Sequence, residues 1–378
     1  MSRKPQQGPL QGIRVLDLSR LLPGPLATQL MADMGAEVIK IEDPNAQDMT
    51  RFFPPMIKNQ SLFSLSINRS KLSVTLPLKM EEGVQQFMEL VKTADVVFDS
   101  FRPGVLDKMQ IGYEDAKKVN PKIIYVAVTG YGQTGTMKNK AGHDVNYLGY
   151  SGILGMTGLK NQPIMPGVQI ADTAGGSYAA VTACLAALWA RERTGKGQLV
   201  DVAMTDCVMP MASILYTKKL NSDDDSLRRG FDYLSGGLAH YNIYQCQDGK
   251  WIALGSLEPK FFQGFCMMIG KPDWVMRMLP EEKTVESLRE DLAALFLTKT
   301  QAEWLQMAAG QDICLTPIMD LDEVYNSDYA KERELFFDME HPAYGTVKTV
   351  NQPFKFSETP AKPSWGAPLL GEDNEMLK

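Results

Sequence analysis

Histidine is scarce in this chain, with three in 378 residues (His143, His240 and His341), and the five cysteines (Cys184, Cys207, Cys246, Cys266, Cys314) form no close pair. Structural zinc needs Cys or His at short ligand spacing, and a disulfide framework needs cysteine density, so both are excluded and the cysteines read as reduced residues among apolar neighbours. Phosphate-cradling motifs are also short. No G-x-x-x-x-G-K-[ST] occurs, and "LLPGPLA", between the first strand and the first helix, lacks the G-x-G-x-x-G spacing of a dinucleotide turn. Excess positive charge is absent, with 39 basic against 45 acidic residues, which removes any general reason to expect nucleic acid. No run approaches the ~18 apolar residues of a membrane span, and "MSRKPQQGPLQG" is no signal peptide, so a cytoplasmic protein is the expectation.

What is present is alternation. "IRVLDLSR", "AEVIKIE", "LSVTLPLK", "DVVFDSF" and "PKIIYVAVTGYG" read as strands, interleaved with helical segments such as "PLATQLMADM" and "EEGVQQFMELVKTA". Strand and helix in turn predict an α/β fold with a parallel sheet. "ADTAGGSYAAVTACLAALWARERTG" reads as a long helix stopped by Gly195, followed by the strand "GQLVDVAMTD" and a helical, largely buried "CVMPMASILYTKKL". The polar, glycine-bearing stretch from Asn221 to Ser235 marks a change of domain. After it come a hairpin turned by Asp248-Gly249, a helix opened by Pro259, a helical tract, a short β segment at "CLTPIMDLDEV" and a proline-rich tail. The expected layout is a large domain over residues 1–220, a smaller α+β domain with its linker over 221–325, and a return over 326–378.

Ordered along the chain, "GIRVLDLSRLLPGPLATQLMADMGAEVIKIE", "NRSKLSV", "FRPGV", "AGHDVNYLGYSG", "ADTAGG", "TGKGQLVDVAM", "LSGG", "GSLEPKFF", "KFSETPA" and "PLLGEDN" resemble the class III coenzyme A transferase superfamily, and within it the alpha-methylacyl-CoA racemases. The resemblance implies a Rossmann-like large domain built from both chain ends, a smaller middle domain and an interlocked homodimer. It implies an acyl-CoA thioester as substrate, with no metal or redox cofactor and a place in lipid metabolism. It gives Arg69, Lys71 and Arg102 to the coenzyme, a reasonable use of cations against phosphate, although as isolated residues they would read as surface charges.

A racemase needs two acid/base groups across the alpha carbon and a donor for the enolate oxygen. The resemblance assigns these to His143 and Asp172, with Glu258 holding the imidazole; Asp144 and Tyr147 would support them. Read alone, His143 is an ordinary histidine in a turn, Asp172 a cap of its own helix, and Glu258 an acid at a helix start. Asp172 also matches the nucleophile of the transferases, which forms a mixed anhydride with the acyl group. His143 and Glu258 tilt the expectation toward 2-methylacyl-CoA epimerisation, with coenzyme A transfer between carboxylic acids as the alternative, and a noncatalytic acyl-CoA binder third. Departures from the relatives, including no second basic residue after Lys71 in "NRSKLSV", no histidine in "NSDYAKERELFF" and Asp373 in "LLGEDNEML", leave the subfamily open.

Overall fold

A computed structural model describes residues 7–223, 227–278 and 281–377. Residues 224–226, in the stretch read as a domain change, and residues 1–6 of the N-terminal stretch lie outside the described residues. Two compact units emerge. The larger comprises Met1–Ser151, Gly167–Met211 and Tyr329–Lys378, and the smaller Gly152–Pro166 and Ala212–Asp328. The smaller unit thus also takes residues 152–166, assigned above to the large domain. Lys160 there pairs with Glu286, and Arg229 donates to the Leu159 carbonyl.

In the larger unit, strands β1 (Arg14–Asp17), β2 (Glu37–Glu42), β3 (Leu72–Thr75), β4 (Val96–Asp99), β5 (Ile124–Thr129) and β6 (Gln198–Ala203) form one sheet in the order β3-β2-β1-β4-β5-β6. Every pairing is parallel. That order is the doubly wound, Rossmann arrangement, whose ligand crevice lies beyond the carboxyl ends of the strands where the order reverses. β4 and β5 are buried along their whole length, which is why they read as continuous apolar runs. Helix α1 (Pro23–Asp33) opens with proline at its first position, and α2 (Glu81–Val91) turns Gly83, Phe87 and Val91 inward. After β5, "GYGQTG" does have G-x-G-x-x-G spacing, but Gly132 and Gly135 lie at positive φ in a loop, and the next helix, α3 (Asp144–Tyr150), begins nine residues later. The dinucleotide turn needs that helix at once.

Ala171–Thr194 is one continuous helical stretch, π-helical over Ala171–Tyr178 and α-helical as α4 (Ala179–Thr194), closed by Gly195 in the left-handed region. By length and composition this stretch of 24 residues could cross a membrane, contrary to the sequence expectation. Its packing on α1, β5 and β6 explains its apolarity as that of a core helix. "CVMPMASILYTKKL" is helical but not largely buried. Its last helix, Ser213–Asn221, has no buried residue, and Ile214 and Leu220 face solvent in the single chain.

The smaller unit has an antiparallel sheet of β7 (Tyr241–Gln245), β8 (Trp251–Gly255) and β9 (Leu315–Ile318), with the β7–β8 turn at Asp248-Gly249. Helices α5 (Pro259–Met268), α6 (Glu282–Phe296) and α7 (Gln301–Ala308) cover it through Phe262, Phe265, Phe296 and Trp304. Back in the larger unit, the proline-rich tail holds an unanticipated hairpin, β10 (Phe336–His341) and β11 (Gly345–Val350). Asp373 then fastens the chain end to β3. Its carboxylate accepts the Ser73 N–H at 2.8 Å, and its own N–H donates to the Ser73 carbonyl at 2.9 Å.

Candidate active site

Asp172 sits in the first turn of the π-helical segment, in the larger unit. Glycine at 175 and 176 lets that segment pack closely. A Cβ on Gly175 would meet Val208 Cγ1 at 2.5 Å, and one on Gly176 would meet Pro23 Cβ at 2.7 Å. Ser177 Oγ donates to the Pro23 carbonyl at 2.7 Å, tying the segment to the start of α1. The neighbouring chain lies at the carboxyl end of the sheet, since Thr205, just after β6, donates from both its N–H and its hydroxyl to the Gly130 carbonyl just after β5. This is where ligands of doubly wound sheets bind.

Asp172 does not cap its own helix, as its residue type and position suggested. Asp144, the first residue of α3, does so instead. Its Oδ1 accepts the N–H groups of Ala171 at 2.6 Å and Asp172 at 3.1 Å. The Asp172 carboxylate therefore remains without a hydrogen bond or ion pair to the described residues. Burial, with a smaller contribution from Asp144, pushes its pKa up to about 7. Tyr147, on the next turn of α3, is buried and donates to the Gly142 carbonyl; desolvation and the nearby Asp172 push its phenol up to about 12.

His143 precedes α3 in extended backbone and is exposed; its N–H donates to Asn146 Oδ1 at 3.0 Å. The fold thus explains it as a helix-start residue and also sets it beside the Asp144–Asp172 contact. Glu258 precedes Pro259 at the start of α5 in the smaller unit and is exposed, without a side-chain capping bond. Arg102, in the turn after β4, is exposed and close enough to Tyr147 to oppose the rise of its pKa.

Arg69 and Lys71 are differently placed. Arg69 is 3% exposed and grips Asp33 Oδ2 through Nε and Nη2 at 2.9 and 2.7 Å, with Nη1 on the Val350 carbonyl at 2.7 Å. Lys71 is fully buried; its ammonium donates to Asp17 Oδ2, the Pro25 carbonyl and Asn68 Oδ1 at 2.8–3.0 Å. Two of the three cations implied to contact the coenzyme are thus bonded inside the larger unit. Tyr131, unremarked in the sequence, packs edge-on against Tyr147, and its buried hydroxyl has no hydrogen-bond partner. Its only sequence signal is an aromatic residue between two glycines after a strand. No group of three or more His, Cys, Asp or Glu that could hold a metal exists among the described residues.

A doubly wound sheet with a desolvated, unpaired carboxylate beyond its carboxyl ends is an α/β fold with a candidate acid, base or nucleophile at its ligand-binding edge. The chain belongs to CoA-transferase family III, whose model matches residues 10–374. Human alpha-methylacyl-CoA racemase is 35% identical over 97% of this chain and 92% of its own length. Mouse succinyl-CoA:glutarate CoA-transferase is 33% identical over 98% and 85%. The crystal structure of a CAIB/BAIF family protein from Brucella suis superposes with a TM-score of 0.85, at 30% identity, over 99% of this chain and 100% of that one. The chain is thus an enzyme of this family acting on an acyl-CoA substrate.

Proposed function

We propose that the protein transfers coenzyme A between carboxylic acids, with Asp172 as nucleophile. The observation that carries this reading is the uncommitted, desolvated Asp172 carboxylate, held in place through its backbone by Asp144. A carboxylate without cations or donors keeps its lone pairs available, and poor solvation raises its nucleophilicity. An Asp172 oxygen attacks the thioester carbonyl; the C–S bond breaks, the thiolate leaves and an acyl-aspartyl anhydride forms. The thiolate then attacks the Asp172 carbonyl carbon, releasing the first acid and leaving an aspartyl thioester. An acceptor carboxylate attacks that thioester, and the returning thiolate takes the new acyl group, restoring Asp172. Arg102 is the exposed cation suited to the coenzyme phosphates.

Epimerisation at the alpha carbon is the second reading. The similarity to a named racemase and the position of His143 beside Asp144 favour it. It requires a second base opposite Asp172, whereas transfer needs Asp172 alone. For either reading, a homodimer interlocked as in the family would give the exposed apolar residues of the 213–221 helix a partner surface.

One experiment separates the two reactions. The protein is incubated in deuterated water with single-epimer 2-methylacyl-CoA, with and without a dicarboxylic acid. Coenzyme A on the acceptor without alpha deuterium supports transfer; deuterium with loss of epimeric purity and no transfer overturns it.

A further inference from the structure

The smaller unit contains a cavity of about 540 Å³. The 158–160 turn, the loop around Ser235, β7, β8 and α6 all contribute to its wall. Two cations line it. Lys160 Nζ lies 2.5 Å from Glu286 Oε1, and Arg289 Nε lies 3.3 Å from Oε2 of the same carboxylate. Arg289 Nη2 donates to the Gly236 carbonyl at 2.9 Å, which leaves Nη1 uncommitted. One acid against two bases leaves an excess of one positive charge at the wall. Ser235 is also in the lining, and its Oγ is buried without a hydrogen-bond partner. A buried hydroxyl is normally paired, so a bound acceptor would remove an anomaly. The rest of the wall is largely apolar, including Leu159, Ile243 and Leu254.

The backbone is shaped to this arrangement. Gly230 and Gly236 both lie at positive φ, and a Cβ on Gly230 would come within 2.9 Å of Lys160 Cγ. These glycines let the loop close on Lys160 and present the Gly236 carbonyl to Arg289.

We propose that this cavity binds a small aliphatic carboxylic acid, its carboxylate held by Arg289, Lys160 and the Ser235 hydroxyl and its chain lying against Leu159 and Ile243. A carboxylate matches the single excess charge and the planar donor edge of the guanidinium. A phosphate monoester, with nearly two charges, would call for more cations and a less apolar wall. The volume suits an acid of about six to ten carbons. The site is independent of which reaction Asp172 performs.

The test uses the full chain labelled at isoleucine methyls and titrated with sodium octanoate, observed by NMR. The Ile243 methyl is expected to shift saturably, with a midpoint below about 1 mM. Octan-1-ol and inorganic phosphate should each bind at least about tenfold more weakly. Arg289→Met should weaken octanoate about tenfold or more, and Ser235→Ala and Lys160→Met several-fold. Glu286→Gln, which raises the excess charge, should tighten it. Asp172→Asn should leave the Ile243 response unchanged. Ile252 and Ile313, buried in the core of the smaller unit, report whether each variant is folded. The proposal is overturned if Ile243 does not respond to octanoate, if octanol or phosphate matches it, or if folded Arg289→Met and Ser235→Ala both bind as the unmodified chain does.

Discussion

Two desolvated carboxylates of the larger unit, the buried Asp17 and the half-buried Asp172, have opposite fates. Asp17 ends β1 and is fully buried, yet Lys71, Lys40, Ser19 and Thr28 overcome its desolvation and hold it down to about 2. Asp172 is less deeply buried and has only another carboxylate, Asp144, as its charged neighbour; it rises to about 7. Pairing, rather than depth, decides the outcome. Arg69 likewise clamps Asp33, so these carboxylates are closed off in ion pairs. Near Asp172 the donors are backbone amides, and they point at Asp144. A carboxylate closed off by cations holds the fold, and one left open is available for chemistry.

The sharpest way to break this comparison is Asp172→Asn. Loss of the only proposed nucleophile should lower turnover by at least about a thousandfold. The fold should gain. Asp172 has its pKa raised from 3.8 to about 7, so the folded state retains a proton that the unfolded state releases between those values. Stability of the unmodified protein therefore falls as pH rises through that window. The variant should melt higher than the parent at pH 8 and nearly equally at pH 4. A variant that melts lower at pH 8 would place Asp172 among the structural carboxylates.

Lys71→Met is the converse. It leaves Asp17 buried beside Lys40 alone and should destabilise by about 3–5 kcal/mol, read from urea unfolding. Arg69→Met should act similarly through Asp33. If either side chain also serves the coenzyme, KM for acyl-CoA will rise in the folded fraction; an unchanged KM confines them to the ion pairs.

How far the sequence foretold these regions depends on the distance over which each is built. Strands such as Val96–Asp99 and Ile124–Thr129 are written in local apolar runs, and the helix stop at Gly195 in one residue. Alternation predicted the α/β class, but the strand order follows from pairings that no window of sequence contains. At the site, residue types and family resemblance singled out His143, Asp172 and Asp144. They could not show that Asp144 caps the helix of Asp172 across 27 residues of chain, nor that Arg69 meets Asp33 across 36. The hairpin Phe336–Val350 was obscured by surrounding prolines, which bias a reading toward irregular chain. The exposure of the 213–221 helix escaped because apolar composition reports a wish for burial, which a second chain can satisfy as well as the same one.

Arg102 and Asp144 test the open region more gently. Arg102→Met should raise KM for acyl-CoA about tenfold with kcat little changed, the signature of lost binding that is uniform between ground and transition states.

Asp144→Asn should have the smallest effect. The amide oxygen of asparagine can still accept the Ala171 and Asp172 N–H groups, so the start of the helix stays in place while the negative charge disappears. That charge helps raise the pKa of Asp172, and its removal lowers it. Attack needs the ionised carboxylate, so the acid limb of kcat/KM, expected near pH 7, should move to lower pH while the plateau rate falls modestly as Asp172 becomes a weaker nucleophile. Tyr147, pushed up to about 12, stays protonated across this window. Asp144→Ala removes acceptor and charge together. If it lowers the plateau far more than Asp144→Asn without moving the limb further, Asp144 acts by positioning the backbone of Asp172. If the limb moves equally in both and their plateaus agree, its charge is the whole of its effect.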